Sequence, residues 1–564
     1  MRNFNRKGMA LVISLLFLVI LFSFSGALML KVFHETKWTR ISVLQNQALY
    51  AGWGGERAGL DQLDTLINDY LLNTISASNP NGVIAFATSK VNSADGIGWL
   101  INAVRSNNVP VLTQNGEQAE FTGSGTLGNA TYQYTIIITE KVDPFMVVQD
   151  VWDFPFFYQI NVTAASSGVP AQTSVEGDFT VRVQKDNFAK YALFTNSQTT
   201  QSGTNVWFTG FTNFSGPVHT NDRFNFARNP SGTFEDLASE YQQTARFYNN
   251  GYTVLLDADF NGIKDVPVFN GGFDRGVSQV TFSPATEAQD MADQATGNQT
   301  LSTPGIYVPN SGGSLTGGIY VQGNASVSMS VDGSSNPVYT VTQGAVTKTI
   351  TVNSSINQTI VTTGGTSQTY TGVPDGVDNV GILVYVDGAI DSFSGTVQAD
   401  TQLTVGSKNN FKITNNVVYQ NYTPAVGTPG QAGYVPPSAS GTDNLLGIVS
   451  WQGSVKIGTS APANVQVHGT VLAMSGVFEV ENYNDTGVGP RGTATLLGGV
   501  IQNNYGAFGL FNGSTGQQVS GYGRNFVYDQ RMQQGYAPPY FPSLSTFIAF
   551  TNDIADKTVW REGQ

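Results

Sequence analysis

A mainly β body behind one long N-terminal transmembrane α-helix is the fold class this sequence predicts, and three observations predict it. Met9 to Leu30 is an uncharged apolar run behind Arg2, Arg6 and Lys7. Only 12% of the 564 residues are charged, while 40% are hydrophobic, so the chain has enough apolar surface to fold. The 63 glycines stand among many Thr, Asn, Val and Tyr residues. That composition suits short strands and tight turns, because β-branched and aromatic side chains fit a pleated surface while Gly and Asn adopt positive φ.

The apolar run, MALVISLLFLVILFSFSGALML, is about 33 Å long as a helix, enough to cross a hydrocarbon core of about 30 Å. The cations before it hold the N-terminus in the cytoplasm, which places the chain after Lys31 outside. A cleaved secretory signal is the rival reading, since Ser25-Gly26-Ala27 offers a small-residue cleavage site. Against it, apolar residues continue at helical spacing through Ile41, Leu44, Ala48, Leu60, Leu63, Ile67, Tyr70 and Leu71. The pattern predicts one helix over 9–72, roughly 96 Å long. Interruptions are expected at Gly52, Gly54, Gly55 and Gly59.

Beyond the helix, YQYTIIIT at 132–139, YQINVTA at 158–164 and VEGDFTVRV at 175–183 read as antiparallel strands between Pro, Gly and Ser clusters. With the helix they form an α+β unit that ends near Asp186. Farther on, short apolar strands meet glycines at irregular spacing: Gly318–Val321, Ile382–Gly388, Leu446–Trp451 and Val467–Ala473. A parallel β-solenoid over about 310–510 accommodates such units, because each rung buries alternate residues on its neighbours and tolerates loops. A β-sandwich-like body is the alternative. TPAVGTPGQAGYVPPSASG at 423–441 reads as an exposed excursion.

Charge divides unevenly. Residues 1–40 hold six Lys/Arg against one Asp/Glu, and the remainder holds 21 against 39, a net −18. An acidic body repels polyphosphates, so no nucleic-acid partner is expected. The absence of cysteine excludes disulfides, thiolate metal sites and a cysteine nucleophile.

Candidate chemistry is sparse. Asp257, Asp259, Asn261, Ile263 and Asp265, with Gly262 for the turn, place oxygen ligands as in the first nine positions of an EF-hand-like loop. Ca2+ is the cofactor they imply. Val268 stands where the bidentate glutamate belongs, so such a site is weak; a solvated turn is the alternative. His34 suits the membrane interface, His219 a hydrogen-bonded turn and His468 a strand. The acid pairs Asp387 with Asp391 and Asp375 with Asp378 would serve polysaccharide chemistry, but turn acids are the default reading. Trp451 and Tyr320 either pack rungs or line a sugar-binding face.

Arg6-Lys7-Gly8-Met9-Ala10-Leu11-Val12 resembles the cleavage region of PilX-type minor type IV pilins and of type II secretion pseudopilins. Gln47-Ala48-Leu49-Tyr50, with Gly55 and Leu60, is similar to the motif that ends their helix. The resemblance implies cleavage by a prepilin peptidase between Gly8 and Met9. Ile13 stands where bulk pilins carry glutamate, which implies a minor subunit, and Trp53, where the family often has an acid, is a second departure from the pattern. FSGPVHTND at 214–222, LGGVIQ at 497–502, GYGRN at 521–525, Tyr528-Asp529 and PPYFP at 538–542 resemble the signatures of an uncharacterised pilin-associated domain spanning 186–545, which implies architecture and no activity.

The expected layout is a basic leader 1–8, a transmembrane helix 9–30, its continuation 31–72, a pilin-like α+β region 73–185, a β-rich domain 186–309, a solenoid-like region 310–510 and a C-terminal segment 511–564. The expected function is that of a non-enzymatic minor pilin-like or pilus-assembly protein in the bacterial inner membrane. Its partners would be other pilins and a surface or glycan ligand, met at the pilus or cell surface. The alternatives are a membrane-anchored β-solenoid enzyme acting on polysaccharide and an adhesin with an ordinary signal anchor. For the cation loop, calorimetric titration should show calcium binding in the millimolar range that is lost in Asp257→Ala; no binding, or binding unchanged by the substitution, rejects the loop as a site.

Overall fold

The computed structural model describes residues 6–72, 98, 118–142, 145–148, 151–209, 212–227, 232–249, 252–256, 266–282, 285–429, 431–512, 517–534, 536–551 and 559–562. Asp257, Asp259, Asn261, Ile263 and Asp265 lie outside these residues. The chain divides into two compact units, residues 1–184 with 546–564, and residues 185–545. It is mainly β, with one long apolar helix at the N-terminus.

The first unit is that helix and an antiparallel sheet. The helix α1 (Arg6–Asp64) is unbroken and continues as a π-helical stretch, Thr65–Leu72. The sheet contains β1 (Gln118–Leu127), β2 (Ala130–Glu140), β3 (Phe145–Val148), β4 (Val151–Ser166) and β5 (Val169–Asn187), in the order β1-β2-β4-β5, with β3 on β4. The three strand runs read from the sequence lie in β2, β4 and β5. Two late segments, Ser543–Thr551 and Val559–Glu562, return to pair with β5. Period-two alternation along β4 buries Trp152, Phe154, Phe156, Tyr158, Ile160 and Val162. Each such side chain contributes on the order of 1.5–3 kcal/mol on leaving water.

The four helix glycines do not interrupt α1, contrary to expectation. Three of them are where the helix meets the sheet. A Cβ at Gly52 would stand 2.9 Å from Thr173, one at Gly55 2.6 Å from Val162 and one at Gly59 2.7 Å from Ile160. Their missing side chains let the helix axis approach the strands, and the packing gained offsets their weak helix propensity. The buried stripe Ala48, Ala51, Gly55, Gly59, Leu63, Leu66, Ile67 and Leu71 follows the helical period.

The second unit is a coil of parallel strands. One face is an 11-stranded sheet containing β6 (Leu193–Thr195), β7 (Val218–Thr220), β8 (Ala238–Glu240), β9 (Phe273–Arg275), β10 (Gly305–Tyr307), β11 (Ile319–Gln322), β12 (Ile382–Asp387), β13 (Gln402–Ser407), β14 (Leu445–Ser450), β15 (Thr470–Ala473) and β16 (Val500–Gln502). Their spatial order is β9-β8-β7-β6-β16-β15-β14-β13-β12-β11-β10, and only β10 is antiparallel to its neighbour. From β6 the chain coils outward to β9, crosses by way of α2 (Ala285–Thr296) to β10, and coils back until β16 pairs with β6. The sequence boundary at 309/310 therefore falls inside one continuous sheet. After β11, β12 and β13 the chain adds a further strand, Ala325–Val331, Ile390–Val397 and Phe411–Tyr419, to a second face of 15 strands. Four antiparallel strands between 337 and 371 extend that face.

The first coils contain a repeat that the sequence reading missed. Asn213-Phe214, Thr233-Phe234 and Val268-Phe269 pair in parallel register, so the spacing is 20 residues and then 35. Phe214, Phe234 and Phe269 stack with ring centroids 5.6 and 5.2 Å apart. The longer third coil holds a hairpin, Ala245–Asn249 with Tyr252–Leu256. This insertion hides the period. As a test of the helix contact, Gly55→Val should lower first-unit stability by roughly 1–3 kcal/mol through overpacking. Gly54→Ala, whose Cβ would meet only Leu127 at 3.4 Å, should raise it by roughly 0.5–1 kcal/mol. Thermal melts of the full chain in detergent micelles, followed by circular dichroism, would separate the two.

Candidate functional site

Two regions offer more than packing: the apolar half of α1 and a cleft in the second unit. Gly8 and Met9 lie in the first turns of α1, and Met9 is 59% exposed. From Met9 to Lys37 every residue is exposed, and the first buried position is Ala48. Phe17, Phe22, Phe24 and Met29 present most of their side-chain surface. A helix that is apolar on all sides and packed on none lacks the amphipathic stripe of a water-facing element. This segment is long and apolar enough to cross a membrane. His34 is exposed just beyond it.

The other two histidines are buried and held neutral. His219 bonds Ser239 Oγ through Nδ1 at 2.9 Å and Asn221 Oδ1 through Nε2 at 3.1 Å, and burial lowers its pKa to about 4. Asn221 Oδ1 accepts from Val280 N–H at 2.8 Å, and its Nδ2 donates to Val280 O at 2.7 Å, so His219 belongs to a structural network. His468 Nδ1 accepts from Tyr419 N–H at 3.1 Å, and burial lowers its pKa to about 3. Neither is poised near neutrality, as a general base requires. Among the described residues no three His, Cys, Asp or Glu side chains could hold one metal ion. Asp391 is exposed on the strand Ile390–Val397, after the chain has left the sheet that carries Asp387. Asp378 accepts from Gln294 Nε2 at 2.7 Å, while burial raises the Asp375 carboxyl to about 6.

Asp387, Tyr320 and Trp451, taken separately from the sequence, meet in one cleft. Parallel register places Tyr320 of β11 beside Tyr385 of β12, with rings 6.2 Å apart and 12° from parallel. Gln322 falls beside Asp387, and its Nε2 donates to Asp387 Oδ2 at 3.0 Å. Lys408, just past β13, pairs with Asp387 Oδ1 at 2.7 Å. Trp451, just past β14, is 2% exposed and also lines the space. Its indole N–H has no partner among the described residues, a cost of about 1–3 kcal/mol when left unmet. The outer wall is α2, held down by Met291, whose sulfur occupies the space left by Gly406. The enclosed volume is about 360 Å³. Tyr385 and Lys408 were not singled out in the sequence; only the register that stacks successive coils reveals them.

The strings read as signatures meet as well. Tyr528 donates its hydroxyl to Lys190 O at 2.8 Å and its N–H to Ser215 Oγ at 3.2 Å. A Cβ at Gly216 would stand 2.3 Å from the Tyr528 ring. Arg531 holds Asp529 through Nη2 at 2.6 Å and donates to the carbonyls of Thr442 and Asn444. These groups fasten the end of the coil to its beginning.

A family described as a domain of unknown function, DUF4900, matches residues 153–236, a stretch from β4 to the start of the third coil. It includes the 214–222 string and leaves the later strings outside. No curated protein sequence matches the chain. Among solved structures the chain is similar to the competence-associated pilin ComZ from Thermus thermophilus, at 12% identity, with 92% of this chain and 98% of that chain covered and a TM-score of 0.33. A likeness that slight carries no argument about fold or function.

Inside the coil, Gln502, Thr195, Thr220 and Glu240 occupy successive register positions and are all buried. Thr195 donates to Gln198 Oε1, Thr220 accepts from Asp222 N–H, and Glu240 Oε2 accepts from Phe224 N–H at 2.7 Å. Burial raises the Glu240 carboxyl to about 8, only partly opposed by that bond and by Arg223 and Arg275. Between the ordinary value near 4.5 and this raised one, the folded chain keeps a proton that the unfolded chain has released. Stability therefore falls as pH rises through that window and is flat above it. Glu240→Gln should match the parent at pH 4 and exceed it by roughly 1–3 kcal/mol at pH 8. Urea unfolding midpoints at pH 4, 6 and 8 would check this, and a pH-independent difference would refute it.

Proposed function

We propose that this chain is a non-enzymatic, membrane-anchored minor subunit of a pilus-type assembly, which displays its second unit at the cell surface or filament tip. The observation that carries the reading is the division of α1. One continuous helix exposes an apolar, membrane-length first half and packs its second half, glycines inward, across an antiparallel sheet. Such a helix is held in the bilayer before assembly and packs against equivalent helices of other subunits afterwards, because in both places its apolar surface leaves water. Ile13 in place of an acid, 59% exposed, favours a minor or initiating position over a repeating one.

The partners in this reading are the inner membrane, other pilins and pilus-assembly proteins, and a further surface met by the second unit. We read that unit as a β-solenoid, a form that presents long faces of aligned side chains. A structural role accords with two histidines buried neutral and with Asp387 engaged by Lys408. Processing by a prepilin peptidase would cut between Gly8 and Met9. Intact-mass and N-terminal peptide analysis of the protein from membranes should find Met9 as the first residue. A mature end near Leu28 would assign the segment to signal peptidase, and an uncut Met1 to an ordinary anchor; either outcome rejects the proposal.

A further inference from the structure

We propose that the cleft between α2 and strands β11 to β14 binds a neutral sugar unit of a glycan. The inference gives a site and a chemical class to the surface contact of the display reading, on which it rests, while the binding itself is a property of the second unit.

The cleft's volume of about 360 Å³ lies at the lower end of the range for small-ligand sites, roughly 300–1,000 Å³. Its back is aromatic, with Tyr320, Tyr385 and Trp451 on adjoining coils. The polar groups that reach solvent are of mixed character. Asp387 and Lys408 form an ion pair whose side chains remain 19% and 44% exposed, and Gln452 is exposed beside them. The pair cancels its own charge, so it offers acceptors and donors without attracting a strongly charged ligand. A ligand that both donates and accepts at closely spaced positions, and has an apolar flank for aromatic edges, matches this set. Sugar hydroxyls and ring C–H groups are such a ligand. The unmet indole N–H of Trp451 is a second observation pointing the same way, since it is a fully buried donor at the wall with nothing in the described chain to receive it.

Acidic ligands fit poorly. Asp293 of α2 adds a carboxylate to the lining, and the one lysine present is already engaged. Metal ions fit poorly too, since Asp387 is held by Lys408, Gln322 and Tyr320.

The test uses the full chain in detergent micelles with maltotriose, cellotriose and N,N′,N″-triacetylchitotriose as neutral probes and trigalacturonate as the acidic one. Binding is read by ligand-observed NMR and by intrinsic tryptophan fluorescence. At least one neutral trisaccharide should bind, and its affinity should fall at least about tenfold in Gln452→Ala and in Lys408→Gln. Lys348→Gln, on the strand Val346–Asn353 of the 15-stranded sheet and outside the cleft lining, should bind as the parent does. The thermal midpoints of all three variants report whether they are folded. If either cleft variant loses its fold, Asp387→Asn provides the second reading of the same contact. Absence of binding by all three neutral probes, binding indifferent to the folded cleft variants, or preference for trigalacturonate would overturn the proposal. None of these outcomes depends on where the N-terminus is cut, so failure here is distinguishable from failure of the anchor reading.

Discussion

The parallel pairing of Leu193–Thr195 with Val500–Gln502 is the constraint on which the second unit depends. It joins segments about three hundred residues apart in the middle of the sheet, and the loop-closure entropy is correspondingly large. What offsets it is a dense seam. Asn196 donates to Asn503 Oδ1 at 2.9 Å, Ser197 N–H to Asn503 O at 2.7 Å and Tyr505 N–H to Thr199 O at 2.8 Å. Gly498 and Gly499 lead into the joining strand with no room for side chains, since a Cβ would stand 2.1 Å from Gly469 O at the first and 2.3 Å from Tyr191 O at the second. Two runs of coils, one leaving and one returning, thereby become a single sheet with their shared core continuous from Phe208 to Val500. Without the seam each run would end on an open edge with unpaired N–H and C=O groups.

The corners of the coils explain the buried polar residues. Where each coil turns at the end of a sheet strand, backbone N–H groups face inward and require acceptors. Gln502 receives Phe478 and Gly506, Thr220 receives Asp222, and Glu240 receives Phe224. Side chains that look out of place in a core strand are therefore corner acceptors. Glu240 is the expensive member of the set, kept protonated by burial rather than matched by a full complement of donors.

In the first unit the decisive interaction is the approach of α1 to its sheet. Glycine is a poor helix former, and at Gly52, Gly55 and Gly59 the sequence sets local propensity against contact distance. Contact wins, because three missing side chains let a whole helix face reach Val162, Ile160 and Thr173. The N-terminal half has no such partner and keeps its apolar surface exposed. One element thus carries both part of the unit's core and an exposed segment long and apolar enough to cross a membrane.

By itself the sequence determined the properties that local chemistry encodes. These include the length of an uncharged segment, the helical period from Ala48 to Leu71, and the alternation that places Tyr158, Ile160 and Val162 on one face of a strand. It also marked Tyr320, Asp387 and Trp451 as residues worth following. Only the tertiary structure decided that the helix would run through its glycines and that, in the 11-stranded sheet, the first strand in chain order would lie beside the last. Tertiary structure also set Asp387 against Lys408 in a cleft roofed by α2. The physical reason is the same in each case: stacking register is specified between coils, not within them. Coils of 20 and 35 residues place equivalent side chains in line however far apart they stand in the chain.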